Sequence, residues 1–263
     1  MNKVTAIVPA RGGSARLKDK NIARFADTNL LLFKIDQLKR VSLINRIVVS
    51  SDSETMLEMA ANAGVETQRR PAEYCDEKTK TFGETVEWVT SNLEGEHILW
   101  ATCTSPLTDA EDYQKAIAKY FEIAGVYDSL VSFEALKRFV WDEKGPINYV
   151  PGQGHVSSQD LPALFVKTCG ISIAPRRDMI RWKYDHGANP YRFILDKRAA
   201  IDIDDVYDLV CARAWRVLPP PPLSIRYRRG VACRRWIAEQ SFRRRALRSF
   251  YTTGSACSER KEA

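Results

Sequence analysis

The 263-residue chain has little with which to build a soft-metal or dithiol site. Its three histidines, His97, His155 and His186, lie far apart in the sequence. Its six cysteines, Cys75, Cys103, Cys169, Cys211, Cys233 and Cys257, include no C-x-x-C pair. That scatter excludes local zinc patterns and dithiol redox motifs, and reduced, mostly buried thiols are expected. No apolar run reaches the roughly 18 residues that a membrane helix needs, so no membrane span is expected. The first residues lead directly into a strand-like run with no signal-peptide pattern before it, and cytoplasmic localisation is the expectation. A G-K-[ST] ending and a G-x-G-x-x-G run are both missing, which argues against a Walker loop and a dinucleotide fingerprint.

A basic body is also lacking, although the formal charge is +7. From Arg213 to the end there are 13 Lys+Arg and 3 Asp+Glu. The rest carries 27 basic and 30 acidic residues and is slightly acidic. The basicity belongs to the tail, so the body gives no reason to expect nucleic-acid binding. Hydrophobic residues make up 44% and charged residues 28%, as in an ordinary globular protein with a sizeable core.

Val4–Val8 is a short apolar run stopped by Pro9 and reads as a buried first strand. A polar loop follows over Arg11–Asn21. Leu30–Val41 has helical spacing, and Arg46–Ser50 reads as a second buried strand. Ser51-x-x-Glu54 has the form of a capping box opening a helix to Ala63, and Thr108-x-x-Glu111 has the same form before a helix to about Ile123. Thr81–Leu93 is predicted helical, His97–Thr102 and Ser129–Phe133 extended, with possible later strands at Gly170–Ala174 and Phe193–Leu195 and a last helix over Asp204–Val217. This alternation predicts an α/β fold: an open, mostly parallel twisted sheet with helices on both faces. Ligands of such sheets bind beyond the carboxyl ends of the strands, so the loops after Pro9, Ser50 and Thr102 are the ones to expect chemistry from.

The first of these loops reads Pro9-Ala10-Arg11-Gly12-Gly13-Ser14-Ala15-Arg16-Leu17-Lys18-Asp19-Lys20-Asn21. Glycines let the backbone approach an anion, successive N–H groups can form a nest for it, and Arg11, Arg16 and Lys20 can add charge-assisted contacts to phosphate. The same residues also suit a solvated basic turn. Near the other end, Asp202-Ile203-Asp204 places two carboxylates at i and i+2. In an extended segment they share one face, with Ile203 on the other. Paired hard oxygens suit Mg²⁺; an acidic helix start would look the same.

Five stretches occur in an order that resembles the acylneuraminate cytidylyltransferase (CMP-sialic acid synthetase) family: Ile7–Ser14 with Lys20-Asn21; Ile47–Asp52; Arg70-Pro71-Ala72-Glu73; Thr104-Ser105-Pro106-Leu107; and Ile201-Asp202-Ile203-Asp204 with Asp208. The resemblance runs from about Lys3 to Arg213. It implies a Rossmann-like nucleotide-diphospho-sugar transferase fold and transfer of CMP from CTP to an acidic sugar, with pyrophosphate released, for surface polysaccharide synthesis. Arg11, Gly12, Gly13, Ser14, Arg16, Lys20, Asn21, Arg70 and Thr81 are the implied nucleotide contacts. Thr102, Ser105 and Gln159 are the implied sugar contacts. Asp202 and Asp204 are the implied ligands of Mg²⁺ (or Mn²⁺) and, with Arg11 and Lys20, the catalytic set.

The chain departs from the family where Thr102 replaces a common Gln, where Ser158-Gln159-Asp160 lacks an Arg, and where Thr168-Cys169-Gly170 replaces Asn-Gly-Ala. Lys137, Arg138 or Lys167 would then have to supply the missing cation. The departures point away from N-acetylneuraminate toward other nonulosonic or ulosonic acids. The Gly- and Pro-rich stretch at about 139–164 corresponds to the family's homodimerisation insertion, with Trp141, Tyr149, His155 and Gln159 as candidates to line the partner's sugar pocket. Ordinary packing of the aromatics is the alternative. A same-fold enzyme for another sugar such as Kdo, and a degenerate non-catalytic binding protein, are the competing functions. Residues 1–218 are taken as the cytidylyltransferase domain. The Pro/Arg-rich stretch 219–263 is expected to be disordered or non-native, with an anionic membrane or polyanion partner as a further reading.

Overall fold

The computed structural model describes residues 3–14 and 16–217. The predicted tail therefore lies outside the described residues. The main sheet has seven strands: β1 (Val4–Pro9), β4 (Ile44–Ser51), β5 (Glu66–Arg69), β6 (His97–Trp100), β7 (Ser129–Leu136), β10 (Leu164–Pro175) and β11 (Pro190–Leu195). Two short hairpins stand apart from this sheet, β2 (Arg24–Phe25) with β3 (Thr28–Asn29) and β8 (Trp141–Asp142) with β9 (Gly145–Pro146). Strand order is β11-β7-β10-β6-β1-β4-β5. All neighbours pair in parallel except β10, which is antiparallel to both β6 and β7. The expected mostly parallel sheet is present, with one reversed strand inside it.

Helices α1 (Leu30–Lys39), α2 (Glu54–Asn62), α3 (Phe82–Ser91), α4 (Ala110–Glu122), α5 (Arg176–Trp182) and α6 (Val206–Val217) cover both faces. Alternation along β1 shows how. Val4, Ala6 and Val8 enter the core shared with Leu31 and Ile35 of α1, Ile117 of α4 and Leu209 of α6. Ile7 enters the opposite core with Val86 and Val89 of α3 and Met179 of α5. Successive side chains of a strand point to opposite faces, so a strand covered on both sides is mostly apolar, as β1 is; its buried Thr5 donates its hydroxyl to Glu94 O at 3.1 Å.

Of the two sequence-predicted capping boxes, the first does not form and the second is displaced. Ser51 ends β4, and its hydroxyl accepts from the Ser53 N–H; α2 starts after Ser53 without a side-chain cap. On α4 the box is Asp109 with Asp112, one residue later than Thr108-x-x-Glu111. A carboxylate at the N-cap accepts two N–H groups there, from Glu111 and Asp112, and Thr108 is left to bind the Ala199 carbonyl instead. A box that the S/T-x-x-E pattern does name in sequence forms at Thr81 and Glu84, opening α3. The strand predicted to Thr102 stops at Trp100, the one predicted over Gly170–Ala174 is the end of a twelve-residue strand, and the last helix starts at Val206, not Asp204. The insertion carries the β8–β9 hairpin and is otherwise irregular to Ala163.

Candidate active site

Beyond the carboxyl ends of β1, β5 and β6 lies a cleft of about 210 Å³. Arg11, Gly13, Ser14, Lys20, Asn21, Arg70 and Thr102 from the predicted set line it. Gly12, Arg16, Thr81, Ser105, Gln159, Asp202 and Asp204 are not on its wall.

The loop after β1 is held by its own side chains. Gly13 has φ +72°, in the left-handed region where a Cβ is strained. The Gly12 N–H donates to Asp52 Oδ1 at 2.7 Å, so this amide is committed to a carboxylate and not to an anion nest. Asn21 is buried; its amide donates to the Arg11 carbonyl at 2.9 Å and its oxygen accepts from the Cys103 thiol at 3.1 Å. Asn21 thus closes the loop as a strut. Arg11 donates to the Cys75 carbonyl at 3.1 Å, which ties the loop to the 72–75 turn across the cleft.

Arg70 follows β5 and is 5% exposed. Its backbone N–H donates to Ser51 O, and its Nε donates to Cys75 Sγ at 3.0 Å. Among the described residues no ion pair joins it to a carboxylate, so a buried guanidinium faces the cleft with a sulfur as its side-chain partner. Burial pushes the Cys75 thiol up, with the Arg70 charge acting against that. Such a guanidinium can take an anionic or carbonyl oxygen of a ligand.

One wall is aromatic. Tyr74, Phe82 and Trp100 line it, Phe82 meets Trp100 edge-on at 6.0 Å between centroids, and Tyr74 stacks on Trp88 at 5.4 Å. Sequence reading singled out none of these three. Phe82 stays 41% exposed although it begins a helix, which is how an apolar face for a planar ligand looks. Thr81 beside it is the helix N-cap: its hydroxyl accepts from Glu84 N–H, and Glu84 returns a contact to Thr81 N–H.

The turn after β6 forms the far wall. Thr102 Oγ1 donates to Cys169 O at 2.9 Å and meets Ser105 Oγ at 3.2 Å, and Ser105 Oγ donates to Asp202 Oδ1 at 3.5 Å. The acidic segment is docked onto this turn by Ile203 N–H to Thr104 O at 2.8 Å, with Ile203 fully buried. The i, i+2 expectation is met: the isoleucine enters the core, and the carboxylates on either side stay partly exposed. Asp204 Oδ1 accepts from Lys20 Nζ at 3.1 Å and from Arg16 Nη2 at 2.9 Å, which brings the acidic segment to the first loop. Asp208 accepts from the N–H groups of Asp204 and Asp205, and its own N–H donates to Asp205, a reciprocal cap for α6.

Among the described residues no three His, Cys, Asp or Glu side chains gather as a metal site. Two carboxylates alone fit a hard cation that keeps water and borrows phosphate oxygens. Asp202 meets the Ser105 hydroxyl at a long 3.5 Å and the Cys169 thiol, and no cation pairs with it among the described residues.

Gln159 is exposed in the insertion, and its carbonyl accepts from Lys137 Nζ. Lys167 is paired to both oxygens of the buried Asp185, at 2.9 and 2.8 Å. Lys167 is thus neutralised by a carboxylate, whereas Lys137 is exposed and meets a carbonyl. Trp141, Tyr149, Phe139 and His155 form an aromatic cluster, with His155 stacked on Phe139 at 5.0 Å and Trp141 61% exposed.

The family model described as cytidylyltransferase matches residues 5–136, half of the chain. The N-acylneuraminate cytidylyltransferase of Escherichia coli O18:K1:H7 (strain RS218 / NMEC) is 24% identical over 215 residues, which is 80% of this chain and 51% of that protein. The pseudaminic acid cytidylyltransferase of Campylobacter jejuni subsp. jejuni serotype O:2 (strain ATCC 700819 / NCTC 11168) is 24% identical over 222 residues, 80% of this chain and 95% of that protein. The chain spans about half the length of the N-acylneuraminate relatives it matches. Among solved structures, a CMP:2-keto-3-deoxy-manno-octonic acid synthetase complexed with CTP superposes with TM-score 0.61 at 12% identity, over 81% of this chain and 98% of that one. A 4-diphosphocytidyl-2C-methyl-D-erythritol synthase from Anaerococcus prevotii DSM 20548 gives 0.54 at 13%, over 81% and 98%. At such identities the structures speak to the fold.

Proposed function

The chain belongs to the cytidylyltransferase family, and from that premise we propose that it transfers CMP from CTP to the anomeric hydroxyl of an acidic sugar, releasing pyrophosphate. The acceptor is a sialic acid-like nonulosonic or ulosonic acid. The observation that carries this reading is the convergence, in one cleft, of the cations Arg11, Lys20 and Arg70 with the Tyr74–Phe82–Trp100 wall. A triphosphate needs the first set and a planar base the second. The names of the relatives supply the choice of cytidine and of an acidic sugar.

In this reading Lys20, Arg11 and Arg16 take phosphate oxygens by charge-assisted bonds, and Arg70 and the aromatic wall hold the nucleoside. The acceptor lies beside Thr102 and Ser105. Its hydroxyl oxygen forms a bond to the α-phosphorus and releases its proton to solvent while the bond to the bridging oxygen breaks, and pyrophosphate leaves with that electron pair. Positioning and charge stabilisation carry such a reaction, and no covalent enzyme intermediate is needed. Asp202 and Asp204 would hold Mg²⁺ (or Mn²⁺), which when bound supplies positive charge to the phosphates. Asp204 also aligns Lys20 and Arg16 through its two ion pairs.

The reading extends to a homodimer formed through the 139–164 insertion. The exposed Trp141, Ile147, Val150 and Val156 support that, because such a group of apolar side chains suits a covered surface. It also extends to a cytoplasmic site of action and to a product used for capsule or lipopolysaccharide assembly. The test is the product itself. Phosphorus NMR of the protein with CTP, Mg²⁺ and an eight- or nine-carbon 2-keto acid sugar should show pyrophosphate together with a new phosphodiester. Hydrolysis to free CMP, or no reaction by folded protein, would contradict it.

A further inference from the structure

Lys34 sits inside α1 with no solvent exposure, and its charge has no carboxylate in ion-pair contact among the described residues. Its Nζ makes three hydrogen bonds of 2.9 Å each, to Ser105 O, Thr108 O and Tyr113 OH. Tyr113 OH in turn donates to Gly170 O at 3.1 Å. The tyrosine proton is therefore committed elsewhere, and all three contacts require the lysine to donate. An ammonium has three N–H groups and can make them; a neutral amine has two and cannot.

The three partners lie behind the cleft, on segments distant from α1 in the sequence. Ser105 and Thr108 bound the turn after β6, and Tyr113 is the bridge from α4 to β10. The turn then holds the acidic segment: Thr108 Oγ1 donates to Ala199 O at 2.8 Å, Ile203 N–H donates to Thr104 O, and Ser105 Oγ faces Asp202. Gln37, one turn further along α1, donates to Pro106 O at 2.9 Å. Packing is tight here, since a Cβ on Gly170 would come within 2.7 Å of Thr108 Oγ1.

We propose that Lys34 is a positioning residue for nucleotidyl transfer: its buried ammonium clamps the Ser105–Thr108 turn and thereby fixes the Asp202–Asp204 segment against the cleft. The inference rests on the function proposed above. It goes beyond that reading by assigning a role to a side chain that touches neither nucleotide nor acceptor.

The clamp is sensitive to pH. Burial lowers the Lys34 pKa to about 7, against the opposing pull of Cys103, Asp112, Asp109 and Asp202. Cys103 lies after β6, Asp109 and Asp112 start α4, and Asp202 belongs to the docked segment. The thiol of Cys103 is pushed up to about 12 by burial and stays neutral over the range in which Lys34 changes charge. Loss of the proton removes one of the three donors and frees the turn.

The test combines turnover with a spectroscopic titration of the full-length protein. With lysine labelled at ¹³Cε, one resonance should titrate near neutrality and be missing in Lys34→Met. The amide signals of Ser105, Thr108 and Gly170 should move with it. The kcat for pyrophosphate release should fall about tenfold per pH unit above the same midpoint, as loss of a single required proton demands. Lys34→Met should lower kcat about tenfold or more and remove that limb, with KM for CTP changed much less. Lys34→Arg, which stays charged, should carry the limb to higher pH. A kcat flat through the lysine's titration, or a folded Lys34→Met with the kcat of wild type, overturns the proposal. If Lys34→Met does not fold, wild type and Lys34→Arg still decide it. If wild type turns over no CTP–sugar pair, the proposed function fails; the clamp then stands or falls on whether the three amides follow the lysine.

Discussion

Single residues decide how the cleft is built. Gly13 is readable from the sequence as a glycine in a phosphate-type loop, and its φ of +72° gives the physical reason. Gly13→Ala is expected to cost about 1–2 kcal/mol of stability, measured by denaturant unfolding, and to raise KM for CTP. An unchanged midpoint would show that the loop relaxes without strain. The acidic pair is equally legible, because i, i+2 spacing around a buried isoleucine leaves little choice of direction. Asp202→Ala is expected to lower kcat about 100-fold or more with an unaltered melting temperature. Near-normal rates at saturating Mg²⁺ would remove Asp202 from the metal role. Lys34, Asp52 and the Tyr74–Phe82–Trp100 wall were not legible. A lysine within a helical repeat looks like any solvated lysine, and an aspartate after a strand does not announce that it will hold a glycine N–H forty residues away. Aromatic residues from three segments become one wall only after the chain has folded.

At the scale of elements, strand and helix order was legible because buried parallel strands and amphipathic helices have different apolar periods. Boundaries and caps were less so. Several residues near a helix start can accept N–H groups, and tertiary bonds select among them, as when Thr108 bonds Ala199 O and leaves the cap to Asp109. The long antiparallel β10 was seen only in part, since its first half alternates with exposed residues and lies next to the irregular insertion. The two capping boxes respond to pH in opposite senses. The Glu84 carboxyl is held down at about 2, first by the Thr81 N–H and then by Lys80. Its folded value lies below the unfolded 4.5, so its contribution is present above that pH and disappears as pH falls through about 2. Burial pushes the Asp112 carboxyl from 3.8 up to about 6, so its contribution is full below 3.8 and is lost as pH rises through about 6. Melting curves of Glu84→Gln and Asp112→Asn against wild type should show these opposite trends. Differences independent of pH in either variant would contradict the assignment.

For the whole molecule, the mostly parallel sheet places the loops after β1, β5 and β6 at one edge, which is why residues spread from Arg11 to Thr104 line one cleft, with Asp204 joined to it through Lys20. That convergence was legible from strand order. The dimer and the role of the tail belong to the proposal. A chain ending at Leu218 is expected to keep its turnover, measured beside the full-length protein; loss of turnover with the fold intact would give residues 219–263 a part in the reaction. The central claim is a cytidylyltransferase acting on an acidic sugar, and it is tested most directly by pyrophosphate release. Each of the four nucleoside triphosphates should be offered with Mg²⁺ and a panel of eight- and nine-carbon acidic sugars. The account predicts release with CTP, dependent on one of those sugars and absent without it. Release with another nucleotide in preference to CTP, or none from folded protein with any pair, would contradict it.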